Sequence, residues 1–131
     1  MAREILFRGK RLDDGEWVEG WYLMYCFGRW PLVPCIIPSQ LAIDGEIRHC
    51  RVDPATVGQY TGMEDMNGRK IFEGDVVDFD EKRFMVEMYR GRWTIATCDT
   101  RYGGLYAVAD DCKVIGNIHD NPELIGGRAD E

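Results

Sequence analysis

A chain of 131 residues with a formal net charge of -7, 45% hydrophobic and 30% charged side chains, has the balance of a folded globule rather than a disordered polyelectrolyte. Its negative field opposes non-specific binding to nucleic acid, and the longest unbroken apolar run, Trp21 to Phe27, is far short of the ~20 residues a membrane-spanning helix requires. Five cysteines, Cys26, Cys35, Cys50, Cys98 and Cys112, odd in number, widely spaced and preceded by no secretory signal, predict reduced thiols in a soluble cytoplasmic protein.

Ile5-Leu6-Phe7 and Trp17 to Phe27 flank Asp13-Asp14-Gly15, an acidic turn that predicts a hairpin over residues 4 to 27. Between Trp30 and Pro38, Pro31, Pro34 and Pro38 each lack the N–H of an internal ladder position, so this segment reads as an edge strand or an extended loop. Asp44-Gly45 is a turn signal, and Ile47 to Val52 a short strand before Asp53-Pro54.

The second half begins with a strand from Thr56 to Thr61, is punctuated by Gly62 and Asn67-Gly68, and continues as a strand from Asp75 to Asp80. Asp80 to Arg83 form a charged turn. Phe84 to Tyr89 and Trp93 to Cys98 are joined by Arg90-Gly91, short enough for a tight hairpin. Leu105 to Ala109 and Lys113 to Asn117 read as two further strands, completing a series with the spacing of a small barrel or sandwich. Asp120-Asn121-Pro122-Glu123-Leu124 offers a capping side chain followed by proline and glutamate, the signature of a short helical turn. Residues 126 to 131 read as a flexible tail.

Three blocks carry a resemblance. The first is Arg3-Glu4-Ile5-Leu6-Phe7-Arg8-Gly9-Lys10 with Asp14-Gly15-Glu16-Trp17-Val18-Glu19-Gly20. The second runs from Val52 to Val77 and includes Val57-Gly58-Gln59-Tyr60-Thr61-Gly62, Asn67-Gly68 and Ile71-Phe72-Glu73-Gly74-Asp75-Val76-Val77. The third is Val114-Ile115-Gly116-Asn117-Ile118-His119-Asp120-Asn121-Pro122-Glu123-Leu124. In this order they are similar to the YopX family of phage and prophage proteins, while Met24 to Cys50 has no comparable match. The resemblance implies a largely β chain with an SH3-like small barrel in its C-terminal half, and self-association into a homo-oligomer. It implies no reaction. The expected architecture is therefore mostly β with little helix: an N-terminal β-rich region with a hairpin extension over 1–52, an SH3-like small barrel over 53–125, and a tail over 126–131.

Residue chemistry points away from catalysis. Cys26, Cys35, His49, Cys50 and His119 include no closely spaced ligand pair, and the adjacent His49 and Cys50 point to opposite faces of a strand, so neither a structural zinc nor another cofactor is expected. Ser39 lacks the glycines of a nucleophile elbow. Glu73, Asp75, Asp78 and Asp80 read as strand-face carboxylates, with Gly74 permitting a bend and the Asp75 side chain accepting backbone N–H bonds.

The candidate binding residues are Lys82, Arg83, Arg90 and Arg92, which flank the predicted hairpin, together with Tyr102 and Tyr106 beside Gly103-Gly104. Aromatic and arginine side chains are over-represented where proteins bind one another. The expectation is a non-enzymatic, homo-oligomeric module contacting a host or phage protein in the bacterial cytoplasm, with no membrane association and with the proline-broken segment at Trp30–Pro38 covered by a neighbouring subunit. Two alternatives remain open at this point: a small barrel that binds single-stranded nucleic acid through the same cations and tyrosines, and a metal-dependent hydrolase using Asp75, Asp78 or Asp80.

Overall fold

A computed structural model describes residues 4–25, 32–39, 49–97 and 100–125. These residues are mostly β, with every ladder antiparallel and the strands falling into two sheets. The chain divides into two compact units, Met1–Tyr60 and Thr61–Glu131. Among the described residues no helix is long and apolar enough to cross a membrane. The expected turn at Asp44-Gly45, the start of the strand at Ile47 and the tail lie outside the described residues.

In the first unit, β1 (Phe7–Lys10) and β2 (Trp17–Tyr25) pair from Phe7↔Gly20 to Lys10↔Trp17, the hairpin that the sequence predicts. Its turn is fastened by the Glu16 N–H donating to Asp14 Oδ1 at 2.9 Å and by positive φ at Gly15. Strand β3 (Val33–Pro38) pairs with β2 along its length, and with β4 (Cys50–Arg51) only at Cys35 and Ile36. The Ser39 N–H donates to the Glu19 carbonyl of β2, so by alternation the even-numbered positions turn their backbone groups away from β2. Pro34 and Pro38 occupy such positions, where the β2 ladder needs no donor. From Val33 to Pro38 the proline-rich segment is thus a genuine strand, bordered on its outer side by β4 among the described residues; Trp30 and Pro31 lie outside the described residues.

Asp53 caps a 3-10 turn at Pro54–Thr56 by accepting the Ala55 N–H at 3.0 Å. Proline at the first helical position and a capping aspartate outweigh the β-branched Thr56, so β5 (Gly58–Glu64) starts later than the expected Thr56. Its first residues pair with β1 at Phe7↔Gln59 and Arg8↔Gly58. Among the described residues of this unit, Leu6, Cys35, Ile36, Val52 and Tyr60 are the buried hydrophobic side chains.

In the second unit the remainder of β5 runs beside β6 (Lys70–Phe72), where the Thr61 hydroxyl donates to the Ile71 carbonyl at 2.8 Å. The main sheet contains β7 (Asp75–Phe79), β8 (Lys82–Tyr89), β9 (Arg92–Ala96), β10 (Arg101–Gly104) and β11 (Lys113–Asn117), in the order β10-β9-β8-β7-β11. Asp80 and Glu81, then Arg90 and Gly91, take positive φ at both central turn positions, matching the twist of tight two-residue hairpins. Period-two alternation turns Val77, Phe84, Val86, Ile95 and Val114 to a common side. There they form one cluster with Ile71, Leu105, Ala109 and Cys112. Each fully buried aliphatic side chain contributes about 1.5–3 kcal/mol relative to exposure.

Two expectations need correction. Leu105 to Ala109 is not a strand: α1 (Leu105–Val108) continues into a 3-10 turn at Ala109–Asp111. Leu105, Ala109 and Cys112 are buried while Tyr106 and Ala107 are exposed, a helical rather than a two-residue period, and the neighbouring strand is β10 instead. The second correction concerns closure. The described strands do not form a closed barrel, because the main sheet ends at β10 on one side and β11 on the other.

Candidate functional site

Strand β8 separates the residues expected to act together. Lys82 and Arg83 open the strand, facing Phe79 and Asp78 across the ladder to β7. Arg90 and Arg92 lie at its far end, in and just beyond the Arg90-Gly91 turn. The seven residue steps from Arg83 to Arg90 span roughly 23 Å at strand rise. The four cations therefore do not form one rim.

At the far end, Tyr89 stands directly opposite Arg92 in the β8–β9 ladder. The Arg101 guanidinium lies 3.5 Å from the Tyr89 ring centroid and that of Arg90 5.4 Å from it. Arg101 Nε lies 3.1 Å from Glu87 Oε2 in an ion pair, so Glu87, on the same face as Tyr89, orients the stacked guanidinium. Arg90 and Arg101 thus share one aromatic ring, and Arg92 stands across the ladder from it with its guanidinium beside Gly104. Neither Arg101 nor Tyr89 is among the expected binding residues: Arg101 lies in β10, where no strand is expected, and Tyr89 ends β8. The alternation of Glu87 and Tyr89 was the available signal.

Tyr102 sits elsewhere. A register shift between Arg101 and Gly103 turns its ring onto Phe84 at 5.0 Å and Phe79 at 6.0 Å, with 54% of the residue still exposed. Tyr106, in α1, is 89% exposed. The six expected residues thus occupy three places: the first turn of β8, the hairpin end, and the β10–α1 surface.

The acidic residues have structural work. Gly74 has φ of 90° and Asp75 Oδ2 accepts the Phe72 N–H at 2.7 Å, the bend and backbone bond expected from Glu73-Gly74-Asp75. Asp75 is 1% exposed, whereas Asp78 is exposed and of opposite parity, so the two carboxylates face away from each other. Among the described residues no group of three or more His, Cys, Asp or Glu side chains is placed to hold a metal ion. Buried Asp65 accepts the N–H groups of Asn67 and Arg69 at Oδ1 and of Val114 at Oδ2, each at 2.9 Å. Burial raises its pKa, but these three bonds outweigh that effect and hold the carboxyl below its ordinary value.

In the first unit, Arg11, Leu12, Asp13, His49, Cys50 and Arg51 line an open cleft of about 540 Å³. Arg11 Nε and Nη2 donate to Asp13 at 3.1 and 2.8 Å, and His49 stacks on Tyr25 with centroids 4.1 Å apart. Cys50 is opposite Ile36 and Arg51 opposite Cys35, so the thiol and the neighbouring guanidinium turn to opposite faces of β4.

The family model described as YopX protein matches residues 6–126. The chain belongs to the YopX family. Its fold is similar to the crystal structure of protein EF1440 from Enterococcus faecalis, with a TM-score of 0.60 and 23% identity, covering 95% of this chain and 100% of that one. No curated protein matches.

The blocks that carry the YopX resemblance hold backbone in place. In the third block, Asn117 Oδ1 accepts the N–H groups of His119 and Asp120 at 3.0 and 2.9 Å. Pro122–Leu124 is the expected helical turn, but its preceding Asn121 does not cap it; Asn121 Oδ1 accepts the Asn117 N–H at 3.3 Å instead. Gly116 is packed so closely that a Cβ there would meet Asn121 Oδ1 at 2.5 Å. The Gly74 carbonyl of the second block accepts the Ile118 N–H at 2.8 Å, joining the two YopX blocks within one unit.

Proposed function

We propose that this YopX-family chain is a non-enzymatic binding module encoded by a phage or prophage, acting as a homo-oligomer on a host or phage protein in the bacterial cytoplasm. The single observation that carries this reading is the arginine cluster built on Tyr89, an exposed arrangement of the residue types that anchor protein contacts. The buried carboxylates, by contrast, are engaged by backbone donors. The strand order of the main sheet also supports an SH3-like reading: its last strand, β11, neighbours its first, β7, and helical turns precede β11. Such a fold hosts many binding functions and specifies none.

Self-association has support in the first unit, where Trp21 and Met24 of β2 are 52% and 50% exposed. The two lie on opposite faces of the strand, and an oligomer interface against either face would remove that side chain from water. Native mass spectrometry of the purified chain, and of material recovered with it from a bacterial host, tests both parts. A defined multimer carrying a stoichiometric protein partner is expected; a bare monomer in every preparation overturns the proposal.

A further inference from the structure

We infer that the end of the β8–β9–β10 sheet is a receptor for an acidic polypeptide segment, whose carboxylates are gripped by Arg90, Arg92 and Arg101 around Tyr89. This deepens the binding-module reading and rests on it. Charge is the first argument. Of the three guanidinium groups at this end of the sheet, only that of Arg101 has a carboxylate partner among the described residues, Glu87. Among the described residues Arg90 and Arg92 make no ion pair. The result is a positive island on a chain of net charge -7, where added carboxylates relieve mutual repulsion among the arginines.

Orientation is the second argument. Arg101 is held from two sides, by the Tyr89 ring at 3.5 Å and by Glu87 at 3.1 Å, while 47% of its side chain remains exposed. A guanidinium fixed in this way loses little further freedom when a partner binds. Arg92 stands across the ladder from Tyr89 and Arg90 lies over the same ring at 5.4 Å. The planar donor forks of these side chains match carboxylates two bonds at a time.

The same geometry disfavours a nucleic-acid strand. A polynucleotide needs cations along a track and open aromatic faces for its bases. Here Tyr89 is already covered by Arg101. The other cationic pair lies roughly 23 Å away at strand rise, with Asp78 directly opposite Arg83 and Asp80-Glu81 in the adjoining turn. A compact cluster suits a short acidic segment.

The test uses the full chain and three fluorescein-labelled probes: a short peptide of alternating Glu and Gly, its Gln counterpart, and an oligothymidylate of similar length. Fluorescence anisotropy is expected to show binding of the Glu peptide that weakens with added salt. Arg92→Gln and Arg101→Gln should each weaken it roughly tenfold, and Arg83→Gln, at the other end of β8, should leave it unchanged. Thermal midpoints equal to that of the unsubstituted chain establish that the variants fold. Equal binding of the Gln peptide, an Arg92→Gln variant that binds like the parent, tighter binding of oligothymidylate, or no binding of the Glu peptide would overturn the inference. A protein partner that stays bound to the Arg92→Gln and Arg101→Gln variants would remove this inference alone, leaving the module reading intact.

Discussion

Replacing Asp65 by asparagine changes almost no volume but reverses the hydrogen-bonding sense of one side-chain atom. In the folded chain Oδ1 accepts from Asn67 and Arg69, and Oδ2 from Val114. An amide keeps one acceptor oxygen and places an NH2 group against a backbone donor. With the oxygen toward Asn67 and Arg69, the Val114 N–H faces that NH2 group inside the second unit, where Asp65 is 5% exposed. Losing a bond to a charged acceptor is worth about 1.5–3 kcal/mol, and leaving its buried donor unsatisfied adds about 1–3 kcal/mol. Asp65→Asn should therefore destabilise the chain by about 2.5–6 kcal/mol, lowering the thermal midpoint by roughly 10–20 °C.

Urea unfolding at neutral pH, followed by tryptophan fluorescence, measures this directly. Acidity provides a second reading with a defined sign. Because the folded-state pKa of Asp65 is lowered, its contribution is complete above the ordinary carboxylate range of ~4 and is lost as pH falls through the lower folded value. The parent chain should lose stability over that acidic window more steeply than Asp65→Asn, which has no carboxyl to protonate there. A variant within about 0.5 kcal/mol of the parent at neutral pH would refute the assignment of Asp65 as a backbone anchor.

Three further outcomes are expected. Gly116→Ala should cost about 1–3 kcal/mol, because its methyl would meet Asn121 Oδ1 at 2.5 Å and Leu124 Cδ1 at 2.9 Å; an unchanged urea midpoint would contradict that packing. Gly20→Ala places a methyl group against the Ile37 carbonyl of the neighbouring strand, so loss of amide-exchange protection across β2 and β3 should follow, and retained protection would count against the β2–β3 register. Brief alkylation of the native chain should modify half-buried Cys50 before Cys35 and Cys112, both fully buried. Burial and then Asp111 and Asp65 push the Cys112 thiol up to about 11, which disfavours its reactive thiolate. Peptide mapping that finds Cys112 labelled first would sink this ordering.

Local chemistry along the chain was sufficient for the hairpins and the bends. Gly15, Arg90-Gly91 and Gly74 occur where the backbone takes positive φ, and such turns depend on the residues in them. The strand of Lys113–Asn117 and the backbone role of Asp75 were legible for the same reason. Leu105 to Ala109 was misread because a short apolar run fits either period until its burial is known. Missing β10 then hid Arg101, and with it the arginine cluster.

Alternation, turn residues and family blocks act over a few neighbouring positions, and they suffice to mark a mostly β chain of the YopX kind. Which side chains meet depends on how the strands are ordered and paired. The strand order placed Arg101 over Tyr89, while the length of β8 kept Lys82 and Arg83 from Arg90 and Arg92. Proximity across ladders depends on register between distant segments, and a one-residue slip turns every side chain to the opposite face.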